Sequence, residues 1–159
     1  MDTITIVHNF HGSQFPIFDY RFIGSNIIKM RTNDKYYHAS TFVDGWYYES
    51  VIFKGVVRNR KPSTKVSYSI AFEVPKDERY NAYFNELYSQ LGKKYDYKGV
   101  LLGFFGIKIQ DKDRYYCNEL NNIFLKHYAK DLVSVKTNYS PKDLRLLLMG
   151  WKHGTQTTI

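Results

Sequence analysis

The chain has 159 residues, 43% of them hydrophobic and 24% charged, which suits one compact domain and excludes a disordered polymer. Its single cysteine excludes an internal disulfide framework and a cysteine-only metal cluster, and fits a reducing compartment. With 23 basic and 15 acidic side chains the net charge is +8, a balance that favours anionic partners such as nucleic acid, a membrane surface or an acidic polymer.

The N-terminal MDTITIVHNFHG has neither the basic flank nor the apolar run of a secretory signal, so a cytoplasmic location is the expectation. A short strand is expected at 3–7, then a short helix at 26–31 capped by Ser25. His8 and His11 have a spacing that could suit a metal, but no nearby acid or cysteine accompanies them, so they read as surface histidines and no metal ligand set is assigned. Tyr36–Val43 and Trp46–Phe53 flank Asp44-Gly45, a hairpin signature with a two-residue turn. If those two residues form the turn, Phe42 faces Tyr47, Ser40 faces Glu49 and His38 faces Val51. His38, Ser40, Tyr47, Glu49 and Val51 then share one side of the ribbon, and Ser50 points to the other.

Between Ser50 and Phe72 there is no acid, while Lys54, Arg58, Arg60, Lys61 and Lys65 all fall there. They read as a solvated basic loop or as a grip for an anionic partner. Residues 66–74 alternate, with Val66, Tyr68, Ile70, Phe72 and Val74 on one face, as in a half-buried strand. Beyond Pro75 the period lengthens. Residues 77–91 carry Tyr80, Phe84, Leu87 and Leu91 at helical spacing, with Gly92 as a stop. The apolar run Val100–Ile107 reads as a core strand or as a hydrophobic lip that meets an acyl chain or a membrane. A second helix is expected over 117–131, striped by Leu120, Phe124 and Tyr128, and a third from Ser140-Pro141 to Met149. Strands come first and helices later, which predicts an α+β fold. The chain reads as a single domain, 1–159, with its core about 30–150 and a flexible polar tail over 152–159.

Cys117 opens the second helix, where the helix dipole favours a thiolate; it reads either as a nucleophile or as a small buried hydrophobe. A nucleophile needs a base. His127 is ten residues on in the same helix and cannot fold back, and His153 sits in the polar tail. His38, on a strand, could be held in place. Glu49, diagonal to it in the hairpin, reads as the carboxylate that orients the imidazole or as an exposed acid beside the basic stretch.

The order of YYHAS at 36–40, YES at 48–50, Lys54-Gly55-Val56, LGKKYDY at 91–97, YYCNEL at 115–120 and SPKDL at 140–144 resembles the circularly permuted, YiiX/YaeF-like branch of the papain-like NlpC/P60 cysteine hydrolases. The likeness covers roughly residues 30–145. It implies an antiparallel sheet packed against helices, with the nucleophile helix after the sheet. It further implies Cys117 as nucleophile, His38 as general base, Glu49 as the third polar residue, and Tyr95 lining the cleft to bind substrate or stabilise an oxyanion, with Asp96 bracing that loop. The implied activity is that of a thiol-dependent amidase or peptidase acting on an amide or isopeptide bond, as in a cell-wall peptide, and no cofactor is implied. Two alternatives stay open: a lipid acyltransferase or esterase on the same scaffold, in which Phe104 and Phe105 contact the acyl chain, and a non-catalytic basic binding module for an anionic partner such as nucleic acid.

Overall fold

The computed structural model describes residues 2–12, 26, 29, 34–96, 114–115, 117–130 and 140–156, and of 114, 115, 117, 118 and 153–156 the backbone alone. The fold is α+β. Strands β1 (Thr3–His11), β2 (His38–Val43), β3 (Trp46–Val51), β4 (Gly55–Asn59) and β5 (Val66–Pro75) precede helix α1 (Glu78–Ser89). Two short strands, β6 (Lys94–Tyr95) and β7 (Arg114–Tyr115), lead to α2 (Cys117–Tyr128) and α3 (Pro141–Gln156). The first five strands form one antiparallel sheet in the order β4-β3-β2-β1-β5.

The hairpin forms as its turn chemistry dictates. Asp44 and Gly45 both take positive φ, 51° and 77°, and Phe42 pairs with Tyr47 and Val43 with Trp46. A three-residue connection follows between β3 and β4: Phe53 takes φ 67°, and Lys54 donates its N–H to the Val51 carbonyl. The first strand runs to His11, past the end expected at 7, because β1 pairs on both edges, with β2 and with β5. Two ladders stabilise residues whose own sequence gives only a weak alternating signal. Of the helix expected at 26–31, positions 26 and 29 are helical and the rest lies outside the described residues, as does Val100–Ile107.

Alternation sorts the sheet into two faces. One carries Ile6, His8 and Phe10 of β1, Thr41 and Val43 of β2, Tyr48 of β3, and Ile70, Phe72 and Val74 of β5; the helices pack on it. Phe124 of α2 is the hub of this core, fully buried and within 4.6–6.0 Å, ring to ring, of His8, Phe72, Tyr83, Tyr128 and Trp151. Asp77 caps α1 by accepting from the Tyr80 N–H. In that helix Tyr80, Tyr83 and Leu87 are the buried residues, while Phe84 and Leu91 of the expected stripe pack at the core's margin. The third helix continues through Gly150 to Gln156, beyond the stop expected there, since Trp151 still packs on Phe72 and Phe124.

The β4 edge is covered. Val56 donates to the Lys93 carbonyl and Gly92 donates back to the Val56 carbonyl. Gly55 takes φ 73°, and a Cβ there would overlap the Lys93 carbonyl oxygen, whereas a Cβ at Gly92, φ 82°, would meet nothing. We therefore expect Gly92→Ala to cost about 1 kcal/mol, the strain of a left-handed residue alone. Gly55→Ala should cost at least about 3 kcal/mol, because the edge pairing must also break. Urea denaturation of both variants checks the contrast.

Candidate functional site

The face of the sheet away from the helices carries a polar cluster. His11 lies three residues from His8 and Ser40 one from Thr41, so both point opposite to the residues that meet α2; His38 and Glu49 do likewise. His38 Nε2 lies 3.4 Å from Glu49 Oε1, and His11 Nε2 lies 3.9 Å from the same oxygen. The two imidazoles face each other across the β1–β2 register, ring centroids 4.8 Å apart. His11, Ser40 and Glu49 have no exposed surface, and the His38 side chain is the accessible member at 12%.

The expected reach from His38 to Glu49 is present, and Glu49 is a buried acid, not an exposed one. What holds it there is the loop after β4. Ser63 donates its N–H to Glu49 Oε2 at 2.9 Å and its hydroxyl to Oε1 at 3.1 Å. Thr64 holds His11: its carbonyl oxygen lies 3.1 Å from Nδ1 and its hydroxyl 3.0 Å. A carbonyl can only accept, so Nδ1 of His11 carries the hydrogen and Nε2 is the bare nitrogen, accepting from the Ser40 hydroxyl at 2.9 Å. Burial pushes the Glu49 carboxyl up, but the imidazole of His38 beside it and the Ser63 N–H, with a smaller part from His11, outweigh it and hold it below its usual value. Burial, with His38 adding to it, pushes His11 down to about 4.

The surface reading of His8 and His11 is therefore overturned; both are fully buried. A strand spacing of three sends them to opposite faces, so they share no ligand. The acidic partner that His11 lacks in its own segment arrives from β3 by sheet pairing. His8 donates from Nδ1 to Asn121 Oδ1 at 2.7 Å, and the Thr41 hydroxyl donates to the same oxygen at 2.9 Å. Asn121 is thus a buried polar latch between α2 and two strands. It was missed in the sequence, where only its position four residues after Cys117, on the same helical face, marks it.

Position 117 is the first residue of α2. Two observations put it at the end of the sheet where β2 begins. Along α2, Asn121 meets His8, whereas Phe124 meets both His8 and Phe72, the partner of Ile6; stepping back one turn from Asn121 therefore moves toward His11. Independently, Gly55 at the start of β4 lies against Lys93, which leads to β6; β6 pairs in parallel with β7, and β7 leads to α2. The same pairing sets Tyr95 opposite Tyr115, two residues before Cys117. Tyr95 and Asp96 are both buried. The body of α2 nevertheless packs on the face opposite His38 and Glu49, so position 117 and His38 approach the end of β2 from its two sides.

The basic stretch is not a solvated loop throughout. Residues 55–59 are β4, where Arg58 lies over the rings of Trp46 and Tyr88 at 4.8 and 5.2 Å. Arg60 lies over Trp46 at 3.8 Å and donates to the Gly45 carbonyl. His127 pairs with Glu86 at 2.7 Å, alongside Lys126. Among the described residues no helix is long and apolar enough to cross a membrane. No protein-family model, curated protein or solved structure matches this chain.

Burial pushes His8 down to about 4 from an ordinary 6.5, only partly offset by its bond to Asn121. The unfolded chain therefore binds a proton below pH 6.5 that the folded chain refuses until about 4. His8 contributes its full stability above that window and loses about 3 kcal/mol as the pH falls through it. Urea midpoints measured across this range should fall less in His8→Leu than in the wild type. Asn121→Ala, which strands two buried donors, should cost about 2–4 kcal/mol at neutral pH in the same assay.

Proposed function

We propose that the chain is a thiol-dependent hydrolase that cleaves an amide or isopeptide bond through an acyl-enzyme on Cys117, on a scaffold of the permuted papain-like order, sheet first and nucleophile helix after. The observation that carries this reading is the His38–Glu49 pair, 3.4 Å apart, with the carboxylate buried and fixed by Ser63. This is the base-and-orienter half of a nucleophilic set: the carboxylate holds the imidazole and stabilises its protonated form. Cys117 supplies the other half from the start of α2, where the unsatisfied helix amides favour a thiolate and can receive an oxyanion. The reading requires the two halves to meet past the end of β2, where His38 is the first strand residue and the accessible member of its cluster.

The steps follow from those roles. His38 takes the thiol proton, and sulfur attacks the carbonyl carbon to give a tetrahedral adduct. Collapse of the adduct breaks the C–N bond as His38 returns the proton to the leaving amine. Water then attacks the thioester with His38 as base, releasing a carboxylic acid and the thiol. Tyr95, brought beside the segment that leads into α2, is the residue we assign to substrate or oxyanion contact. The substrates this reading implies are peptides, cell-wall peptides among them.

A second reading, a basic binding module, is favoured by the shelf on which Arg58 and Arg60 stack over Trp46. It would hold nucleic acid or another polyanion by charge and stacking, together with Lys54, Lys61 and Lys65. Charge reversal at Arg58 and Arg60 should abolish the function on this reading and spare it on the first.

Alkylation of Cys117 by iodoacetamide, followed from acid to mildly alkaline pH, tests the thiol reading directly. We expect reactivity to persist at least about one unit below the free-thiol value of about 8.5, and to move back toward it in His38→Ala. A thiol that titrates like free cysteine in both proteins would remove the enzyme reading and leave the basic shelf as the functional surface.

A further inference from the structure

His11 has no task in the thiol mechanism, yet it is held at both ring nitrogens, by Thr64 at Nδ1 and by Ser40 at Nε2. One ring nitrogen of His11, one of His38 and a carboxylate oxygen of Glu49 all lie within 4.8 Å of one another. Two of the separations are 3.4 and 3.9 Å. Around a tetrahedral ion with bonds near 2.0–2.1 Å, donor atoms sit about 3.3 Å apart, so the three need only small side-chain shifts to share one ion. Their supports are those of a ligand set. Thr64 takes the Nδ1 hydrogen of His11 on its carbonyl, which turns the bare Nε2 inward, and Ser63 fixes the carboxylate through two hydrogen bonds. Ser40, on the same face and 2.9 Å from His11 Nε2, is a hydroxyl within reach of whatever occupies the centre.

We propose that His11, His38 and Glu49 form a binding site for a first-row divalent metal ion of the zinc class. Two imidazole nitrogens and one carboxylate select zinc, cobalt or iron(II) over magnesium and calcium, which prefer oxygen. The single negative charge of Glu49 leaves the loaded site with a net charge of one positive unit. Three protein ligands leave a coordination position for water or substrate, on the side where His38 reaches solvent. Binding stands apart from the thiol reading. One consequence bears on that reading: with Glu49 beside Nε2, His38 would act as a base through Nδ1, and an ion bound at Nε2 leaves the ring hydrogen on Nδ1, so zinc would switch the thiol off.

The test is titration of the full-length, metal-free protein with Co²⁺, read by its visible ligand-field absorption. We expect one equivalent to bind, Zn²⁺ to displace it, His11→Gln and Glu49→Gln to weaken binding at least about 100-fold, and Ser63→Ala about 10-fold. Cys117→Ser should bind cobalt as the wild type does, so failure of the thiol chemistry and failure of the metal site are read separately. Absence of binding overturns the proposal, as does binding that survives both ligand substitutions or is lost in Cys117→Ser. Should the core variants fail to fold by circular dichroism, X-ray absorption of the cobalt-loaded wild type decides: two imidazoles in the first shell support the site, and fewer than two overturn it.

Discussion

A carboxylate with no exposed surface must be compensated from within, and Glu49 sets that demand on the far face of the sheet. Its two oxygens collect a backbone N–H, a serine hydroxyl and the flank of His38. To deliver the first two, the chain after β4 must fold back over the sheet, which brings Thr64 to His11 and buries that ring as well. One acid therefore organises residues from β1, β2, β3 and the 60–65 connection. Leaving its charge unpaired would cost several kcal/mol, so the connection is held in place by more than its own contacts.

The helix face obeys a different rule. There the group that joins helix to sheet is a neutral amide: Asn121 accepts from His8 and Thr41 amid Phe72 and Phe124. Aromatic packing around Phe124 supplies the area, and the amide fixes the rotation and height of α2 on the sheet. An apolar contact tolerates sliding, whereas a two-donor hydrogen bond does not. Position 117 inherits its place from that latch one turn further on.

What could be read from the sequence followed distance along the chain. The Asp44-Gly45 hairpin, with its register and the shared face of His38 and Glu49, was legible because turn chemistry and alternation are local. So were the alternating β5 and the Asp77-capped start of α1. The burial of His8 and His11 was not, because a residue's own segment says little about a strand paired on both sides with segments about 30 and 60 residues away. Nor did Ser63 and Thr64 signal themselves: in the sequence they are two polar residues in a basic, proline-containing stretch, and their partners lie two strands away and more. Gly150 misled for the opposite reason. A glycine is a local stop, but Trp151 finds the aromatic core beyond it and the helix goes on.

The position of β1 also bears on how the chain is made. It is synthesised before the other strands of its sheet, yet it lies inside that sheet, between β2 and β5. The β2–β3 hairpin can close as soon as its few residues exist, on the timescale of a local event. β1 must wait for β2, and its other edge stays open until residues 66–75 have emerged and come back to it. During that interval an amide-lined strand rich in isoleucine and valine stands exposed, the condition under which nascent chains pair with the wrong neighbour. The two histidines near its end, charged in part while still in water, would make such pairing less favourable until the sheet encloses them.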